Sequence, residues 1–281
     1  MSIVNIDFLD QIEGHESIRA FAMLFARCIV ENPDILLEIQ KAHPIDAGGE
    51  NWVAIRNDLQ DDSIRTRFRK NLIEYANSYD WSPIEAVYIG WGKYGWITAF
   101  ELVEMGFWDI LPKSQMEADQ KVLQEISEDY LLRLRSELEE NTHNSAMFKE
   151  ACFCFDHQCY YACSSLLLSL IDGVLTSTPS NIGGKNRRTG EGAGKKLIEK
   201  LTENDFFGSP GYFNLEIQNY KSFLATIFAR ANGFEDEPLN LNRNYLHHGM
   251  SNRTMTRADC IKLFIAYRKT IELSKYAEVK G

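Results

Sequence analysis

Apolar residues recur every three or four positions along most of the chain, the spacing of a helix with one buried face. One such stripe covers residues 18–29, and a longer stripe runs from Leu123 to Leu138. Ser114 lies three residues before Glu117 at the head of the longer stripe, which is the spacing of a helix capping box. The pattern therefore predicts an all-α protein, with one continuous helix from this cap to a polar break at residues 141–145.

The pattern is clearest after residue 146, where it predicts four amphipathic helices in an up-and-down bundle. The predicted helices are 147–155, 159–175, a third centred on 220–228 that ends near Asn232-Gly233, and a last helix capped by Thr256 and Asp259. Cys260, Phe264, Tyr267 and Ile271 lie on one face of that last helix. A glycine-rich loop at 176–194 and a short helix at 195–201 separate the second and third bundle helices. We interpret residues 1–140 as a helical accessory or regulatory region and residues 146–281 as the bundle.

Large aromatic residues and glycines are concentrated between residues 81 and 108. The tryptophans there are Trp81, Trp91, Trp96 and Trp108. They could form an aromatic binding platform, but tryptophan contributes large buried area wherever it occurs, so core packing is the favoured interpretation.

The charge is unevenly distributed along the chain. The net charge is −10, which argues against a protein that simply coats nucleic acid. Residues 176–281 carry 16 Lys and Arg against 11 Asp and Glu, whereas the first 175 residues carry 14 against 29. An anionic ligand is therefore expected in the second half.

No run of eighteen apolar residues and no secretory signal pattern is present, so we expect a cytoplasmic protein without a membrane-spanning helix. Four of the six cysteines lie between Cys152 and Cys163. Their apolar, helical context predicts reduced core thiols. A zinc ion shared by Cys159 and Cys163, with His157 or Cys154, is the less favoured alternative because zinc ligands usually come from turns.

The segment from Leu241 to Met250 carries the candidate chemistry, because Arg243 and His248 lie there, just before the last helix. With Asn244 and three further residues between them, this motif resembles the HEPN superfamily, whose ribonuclease members have an Arg, a polar residue and a His at this spacing. The resemblance covers residues 146–276 and includes the helical hairpin at 146–175. It implies a HEPN-like four-helix bundle, a homodimer with both motifs at one cleft, and metal-independent cleavage of RNA without any cofactor.

The residue types suit that reaction. A histidine titrates near neutrality and can exchange protons with the 2′- and 5′-oxygens, whereas a permanently charged arginine can hold two phosphate oxygens. Arg243 and His248 are therefore the predicted catalytic pair, and Asn244 is predicted to hold the phosphate or to orient His248. His247 is given a minor supporting role, and Asp172 is expected to approach the motif, since related domains often place an acidic residue there.

Each residue of this site also has a structural interpretation. Arg243 could form an ion pair with Glu235 or Asp236, and His248 could cap a helix. Asp172 could equally serve as a helix-surface residue or as an N-terminal cap. Lys185, Arg187 and Arg188 in the glycine-rich loop are the predicted RNA-backbone contacts, although such loops are often only solvated.

Three functions remain open on this basis. The first is an endoribonuclease, a toxin-like effector that cleaves cellular or phage RNA in antiphage defence, abortive infection or a stress response, under the control of an antitoxin or sensor protein. The second is a non-catalytic HEPN-type module that binds RNA, a nucleotide or a protein. The third is a helical structural protein with a chance motif. Some HEPN toxins carry a modifiable tyrosine two residues after the histidine, where this chain has Met250, so regulation of that kind is not predicted.

Overall fold

The computed structural model describes residues 29–30, 32–34, 37, 49–78, 80–99, 107–178, 187–203 and 212–278. The predicted helix over residues 18–29 lies outside these residues, except for its last position.

The described residues form eleven α-helices and contain no strand, which confirms the all-α prediction. The helices are α1 Gly49–Gln60, α2 Asp62–Ser78, α3 Ser82–Lys93, α4 Gln115–Glu125, α5 Glu128–Asn141, α6 Ser145–Asp156, α7 Tyr160–Ser177, α8 Gly190–Glu203, α9 Tyr212–Ile227, α10 Arg243–His247 and α11 Arg257–Glu278. Two 3₁₀ turns, Phe107–Asp109 and Asn232–Phe234, complete the described elements.

The chain forms two compact units. One comprises Met1–Ile84 with Phe207–Leu215, and within it α1 packs on α2. The other comprises Glu85–Phe206 with Glu216–Gly281 and contains every described residue of the motif. Residues 141–145, where the sequence predicts a boundary, lie inside this second unit.

The predicted continuous helix after Ser114 is wrong, because the chain breaks at Ile126 and Ser127 into α4 and α5. Ile126 is extended, and the hydroxyl of Ser127 accepts a hydrogen bond from the Tyr130 amide at 3.1 Å, so Ser127 caps a new helix. The predicted cap at Ser114 is confirmed, since its hydroxyl accepts from the Glu117 amide at 3.2 Å. The second capping serine, with its β-type dihedrals, therefore starts a new helix even though the apolar stripe continues without a break.

Helices α6 and α7 form the predicted hairpin, with a turn at His157 and Gln158. Helix α7 buries Cys163, Leu167, Leu170, Ile171 and Val174, the face that the sequence predicts. Among the described residues, α7 is the one helix long and apolar enough for a membrane span by length and composition. Its buried face packs within the second unit, against α6, α8 and α11.

Two predicted boundaries are wrong. The loop predicted to reach residue 194 ends earlier, because α8 already begins at Gly190 and continues to Glu203. Helix α9 ends at Ile227, and the residues predicted to finish it form a separate 3₁₀ turn in which Gly233 has a φ of 79°.

Helix α11 is the central helix of the second unit. The sequence predicts one buried face, but residues 258–267 are all buried, because α5, α7, α8 and α9 surround the helix. Its predicted cap is confirmed, since Asp259 accepts from the Thr256 amide at 2.9 Å. The burial reaches charged residues as well: the Lys262 ammonium lies 2.6 Å from Asp119 and over the Trp96 ring. Burial lowers the pKa of Lys262, and Asp119 opposes that effect.

The four tryptophans of the 81–108 segment, Trp81, Trp91, Trp96 and Trp108, are core residues, as the favoured interpretation predicts. In addition to their packing, the ring nitrogen of Trp91 donates to the Trp108 carbonyl and that of Trp96 donates to Asp119. Asn219 of α9 completes this core: its amide donates to the carbonyls of Tyr88 and Trp96, and its oxygen accepts from the Thr98 amide, at 2.9–3.0 Å. One buried side chain therefore satisfies three backbone groups.

We expect Asn219→Ala to lower the free energy of unfolding by about 3 kcal/mol, because three buried backbone groups lose their hydrogen bonds. Urea unfolding followed by tryptophan fluorescence measures the change. Asn252→Ala, at an exposed position, is the control and is expected to shift stability by less than about 0.5 kcal/mol. Equal effects from the two variants would contradict the role assigned to Asn219.

Candidate functional site

The motif lies on α10, a five-residue helix whose start is set by Asn242. The Asn242 side-chain oxygen accepts from the amides of Asn244 and Tyr245 at 2.9 and 3.3 Å, and its amide donates to the carbonyl of Ala229 at 3.0 Å. Asn242 thus caps α10 and ties it to the chain that follows α9.

Glycine ends the helix. Gly249 has a φ of 67°, and the amides of Gly249 and Met250 donate to the carbonyls of Leu246 and Tyr245. This is a Schellman termination, which favours glycine because a side chain there would be strained. The cap and the glycine together confine α10 to a single turn between Asn242 and Gly249.

Arg243 forms an ion pair with Asp172 of α7, with 3.2 Å between Nη2 and Oδ2. Neither Glu235 nor Asp236, the partners considered from sequence, takes this position. The other Asp172 oxygen accepts from the Gly190 amide at 2.6 Å, so the same carboxylate caps the start of α8. The structure therefore brings Asp172 to the motif and also gives it a capping role.

Two features of Arg243 bear on ligand binding. Its side chain is 31% exposed despite the ion pair. Its buried Nε has no hydrogen-bond partner among the described residues. The guanidinium is thus held at one nitrogen and remains open to solvent in part.

His247 shares the face of α10 that carries Arg243, because residues four apart lie on one side of a helix. Its ring nitrogen Nε2 is 3.4 Å from the Ser165 carbonyl of α7. Partial burial lowers the pKa of His247, the charge on Arg243 lowers it further, and Asp172 opposes both effects. His247 therefore belongs to the Arg243–Asp172 cluster, a position that its predicted minor role did not anticipate.

His248 is exposed at the C-terminal end of α10. Its amide donates to the Asn244 carbonyl at 3.1 Å, and its ring meets the edge of Phe234 with centroids 5.4 Å apart. Residues five apart on a helix point about 140° away from each other. Within one chain, His248 thus reaches solvent on a different side of the turn from Arg243.

The Asn244 side chain is engaged elsewhere: its amide donates to the Ala229 carbonyl at 2.9 Å. Its contact with His248 is made by the main chain.

The basic loop is described only from residue 187 onward, so Lys185 lies outside the described residues. Arg187 and Arg188 are both exposed, and Nε of Arg187 donates to the Thr176 carbonyl at 3.0 Å. Arg188 lies two residues before Gly190, whose amide binds Asp172. The end of the basic loop is thus joined to the carboxylate that holds Arg243.

No three His, Cys, Asp or Glu side chains in the described part of the chain come together as a metal site. Cys163 and Cys260 are buried side by side between α7 and α11, and Cys159 is exposed. Cys163 is thus one of the core thiols, and the exposed Cys159 is not.

Comparisons of the chain with protein-family models, curated proteins and solved structures found no match. The resemblance to HEPN proteins therefore rests on the sequence motif and its predicted helical context, and stays a prediction.

We expect opposite pKa changes at His247 when its two charged neighbours are neutralised. Arg243→Gln removes a cation and should raise the pKa of His247, whereas Asp172→Asn removes an anion and should lower it. An NMR titration of the ring resonances measures both. Lys275→Gln, which removes an exposed cation near the C-terminal end of α11, is the control and should leave the pKa of His247 unchanged. A shift in the same direction in both variants, or in neither, would contradict the cluster.

Proposed function

We propose that this protein is a metal-independent endoribonuclease of the HEPN type, which cleaves RNA by attack of the 2′-hydroxyl and leaves a 2′,3′-cyclic phosphate. The observation that carries the proposal is the arrangement of α10: an arginine paired with a carboxylate, an exposed histidine on the same face, and a second exposed histidine at the helix end. In this proposal the second unit contains the HEPN-like four-helix bundle.

Arg243 would bind the scissile phosphate. Its planar guanidinium can donate to two phosphate oxygens, and stabilisation of the charge that develops there is usually a large part of catalysis. The ion pair with Asp172 engages Nη2 and limits the freedom of a long side chain. Less conformational entropy is then lost when the phosphate binds.

The histidines would transfer the protons. His248 remains the predicted catalytic histidine because of its place in the motif, and, like His247, it is exposed where RNA can reach it. His247 has a lowered pKa, so its ring is mainly neutral near pH 7 and can accept a proton. The pair thus offers a proton acceptor on the Arg243 face and a second exposed imidazole at the helix end.

The RNA backbone would approach along the loop that contains Lys185, Arg187 and Arg188. The exposure of Arg187 and Arg188 and the bond from Gly190 to Asp172 support this path, because they join the loop to the Arg243 site. Positive side chains along such a path attract phosphates independently of sequence.

The biological setting follows from the same resemblance. We propose a cytoplasmic homodimer in which both motifs share one cleft, acting as a toxin-like effector on cellular or phage RNA in antiphage defence or a stress response. In a dimer the His248 of one protomer can face the Arg243 of the other, which would compensate for their divergence on one helical turn. An antitoxin or sensor protein would control the activity.

A non-catalytic RNA- or nucleotide-binding module is the second candidate. It is favoured by the engagement of Asn244 with Ala229 and of Arg243 with Asp172, since neither polar group is wholly free for a reacting phosphate. Such a module would bind RNA through Arg243 and leave it intact.

Cleavage of RNA by the purified protein in EDTA tests the proposal. We expect His248→Ala to lower the rate by roughly 10²–10⁴-fold, as removal of a general acid or base does. Arg243→Ala should lower it by about 10²–10³-fold, as loss of an electrostatic donor does. His247→Ala should give a smaller loss, because His248, the predicted catalytic histidine, can still exchange protons with the substrate.

His157→Ala and Arg69→Ala are the matched controls, since both residues are exposed and lie outside α10. Circular dichroism and urea midpoints should show that every variant is folded. RNA cleavage that survives both the Arg243 and the His248 changes would contradict the proposal. RNA binding without cleavage, lost in Arg243→Ala, would favour the binding module instead.

A further inference from the structure

The turn between α6 and α7 has a termination geometry like that of α10, but without glycine. The Gln158 amide donates to the Phe155 carbonyl, and the Cys159 amide donates to the Cys154 carbonyl at 2.8 Å. Gln158 lies in the left-handed region with a φ of 59°. These two bonds and this dihedral define a Schellman motif.

That geometry decides which side chains meet. In a Schellman motif the residue after the left-handed position commonly contacts the residue five positions before it. Here these two residues are Cys159 and Cys154, whose main chains are already hydrogen-bonded to each other. The position usually filled by an apolar contact is therefore filled by two thiols.

The pKa of the Cys154 thiol agrees with the position of Cys159 beside it. The pKa of Cys154 is raised, first by burial and next by the neighbouring Cys159. Cys159 is exposed and Cys154 is half-buried. A reagent in solution thus reaches Cys159 more readily than Cys154.

The remaining described cysteines have other surroundings. Cys163 and Cys260 are buried. Cys152 lies beside Arg135. It is also two residues from Cys154 on the same helix, and residues so spaced do not share a face.

We propose that Cys154 and Cys159 form an oxidisable dithiol, in which the Cys159 sulfur attacks hydrogen peroxide and Cys154 then closes a disulfide across the turn. In the first step the Cys159 sulfur takes an oxygen atom from hydrogen peroxide, which gives a sulfenic acid and water. In the second step the Cys154 sulfur attacks the Cys159 sulfur, the S–O bond breaks, and a second water leaves. Two thiols and one peroxide thus give one disulfide and two waters.

The turn is suited to the product. A disulfide requires Cα atoms within about 7 Å of each other, and residues joined by a direct main-chain hydrogen bond satisfy this without unfolding of either helix. The bond would link the end of α6 to the start of α7. It requires no partner chain, no metal and no RNA, so it is independent of the proposed nuclease.

Peptide mapping of the full chain after brief treatment with dilute hydrogen peroxide tests this site. The remaining thiols are blocked, and a peptidase that cuts before aspartate divides the region into residues 129–155, with Cys152 and Cys154, and residues 156–171, with Cys159 and Cys163. We expect the two peptides to stay joined, two hydrogen atoms lighter than their sum, and to separate on reduction.

Cys154→Ser and Cys159→Ser should each abolish the joined species, whereas the matched control Cys152→Ser should keep it. In Cys154→Ser, where oxygen replaces one sulfur atom, a sulfenic-acid trap such as dimedone should label Cys159. This label tests whether Cys159 is oxidised first. Separate peptides in the oxidised wild-type protein would overturn the proposal. So would a joined species that persists in Cys154→Ser and is lost in Cys152→Ser, because Cys152 would then be the partner of Cys159.

Discussion

The Asp172 carboxylate links the elements of the candidate site. One oxygen caps α8 at Gly190 and the other binds Arg243 at the start of α10, so a side chain of α7 holds two further helices. The Asp172 side chain is only 15% exposed, and both of its carboxylate oxygens have a bonding partner. The Asp172 carboxylate sets the direction of the Arg243 side chain. It also fixes the end of the basic loop and contributes to the surroundings of His247.

The rest of the second unit holds α10 against that carboxylate. Asn242 and Gly249 limit the helix to one turn, and buried Tyr245 donates to the Asp236 carbonyl at 2.7 Å. From the α7 side, the Tyr161 hydroxyl donates to the Leu246 carbonyl at 3.1 Å. Tyr161 follows the turn that carries the thiol pair, so both features proposed here depend on the same helix.

The sequence predicts local features well and tertiary ones poorly. The caps at Ser114 and Thr256 and the α6–α7 hairpin follow from short-range patterns, and the structure confirms them. The sequence does not predict the break at Ser127, because the apolar stripe continues through it. It does not predict the early start of α8 either, because glycines there indicate a loop. Burial of α11 on all sides depends on four neighbouring helices, which no local pattern reveals.

The same division holds within the site. The approach of Asp172 to the motif was expected from resemblance, but its bond to Gly190 joins residues 18 positions apart and has no local signal. His247 could have been recognised sooner, because a spacing of four from Arg243 places it on one helical face, whereas the spacing of five to His248 does not. The hydrogen bond from the Asn244 side chain to the Ala229 carbonyl depends on the path of the chain after α9, which no local pattern predicts.

The chemistry of the cut ends tests the central claim most directly. The purified protein is incubated in EDTA with an oligoribonucleotide and, separately, with the same sequence carrying 2′-O-methyl groups throughout. The account predicts cleavage of the first substrate to 2′,3′-cyclic phosphate and 5′-hydroxyl ends and no cleavage of the second, since the attacking hydroxyl is blocked. Cleavage of the methylated strand, or products with 5′-phosphate ends, would contradict the reaction assigned to Arg243 and His248.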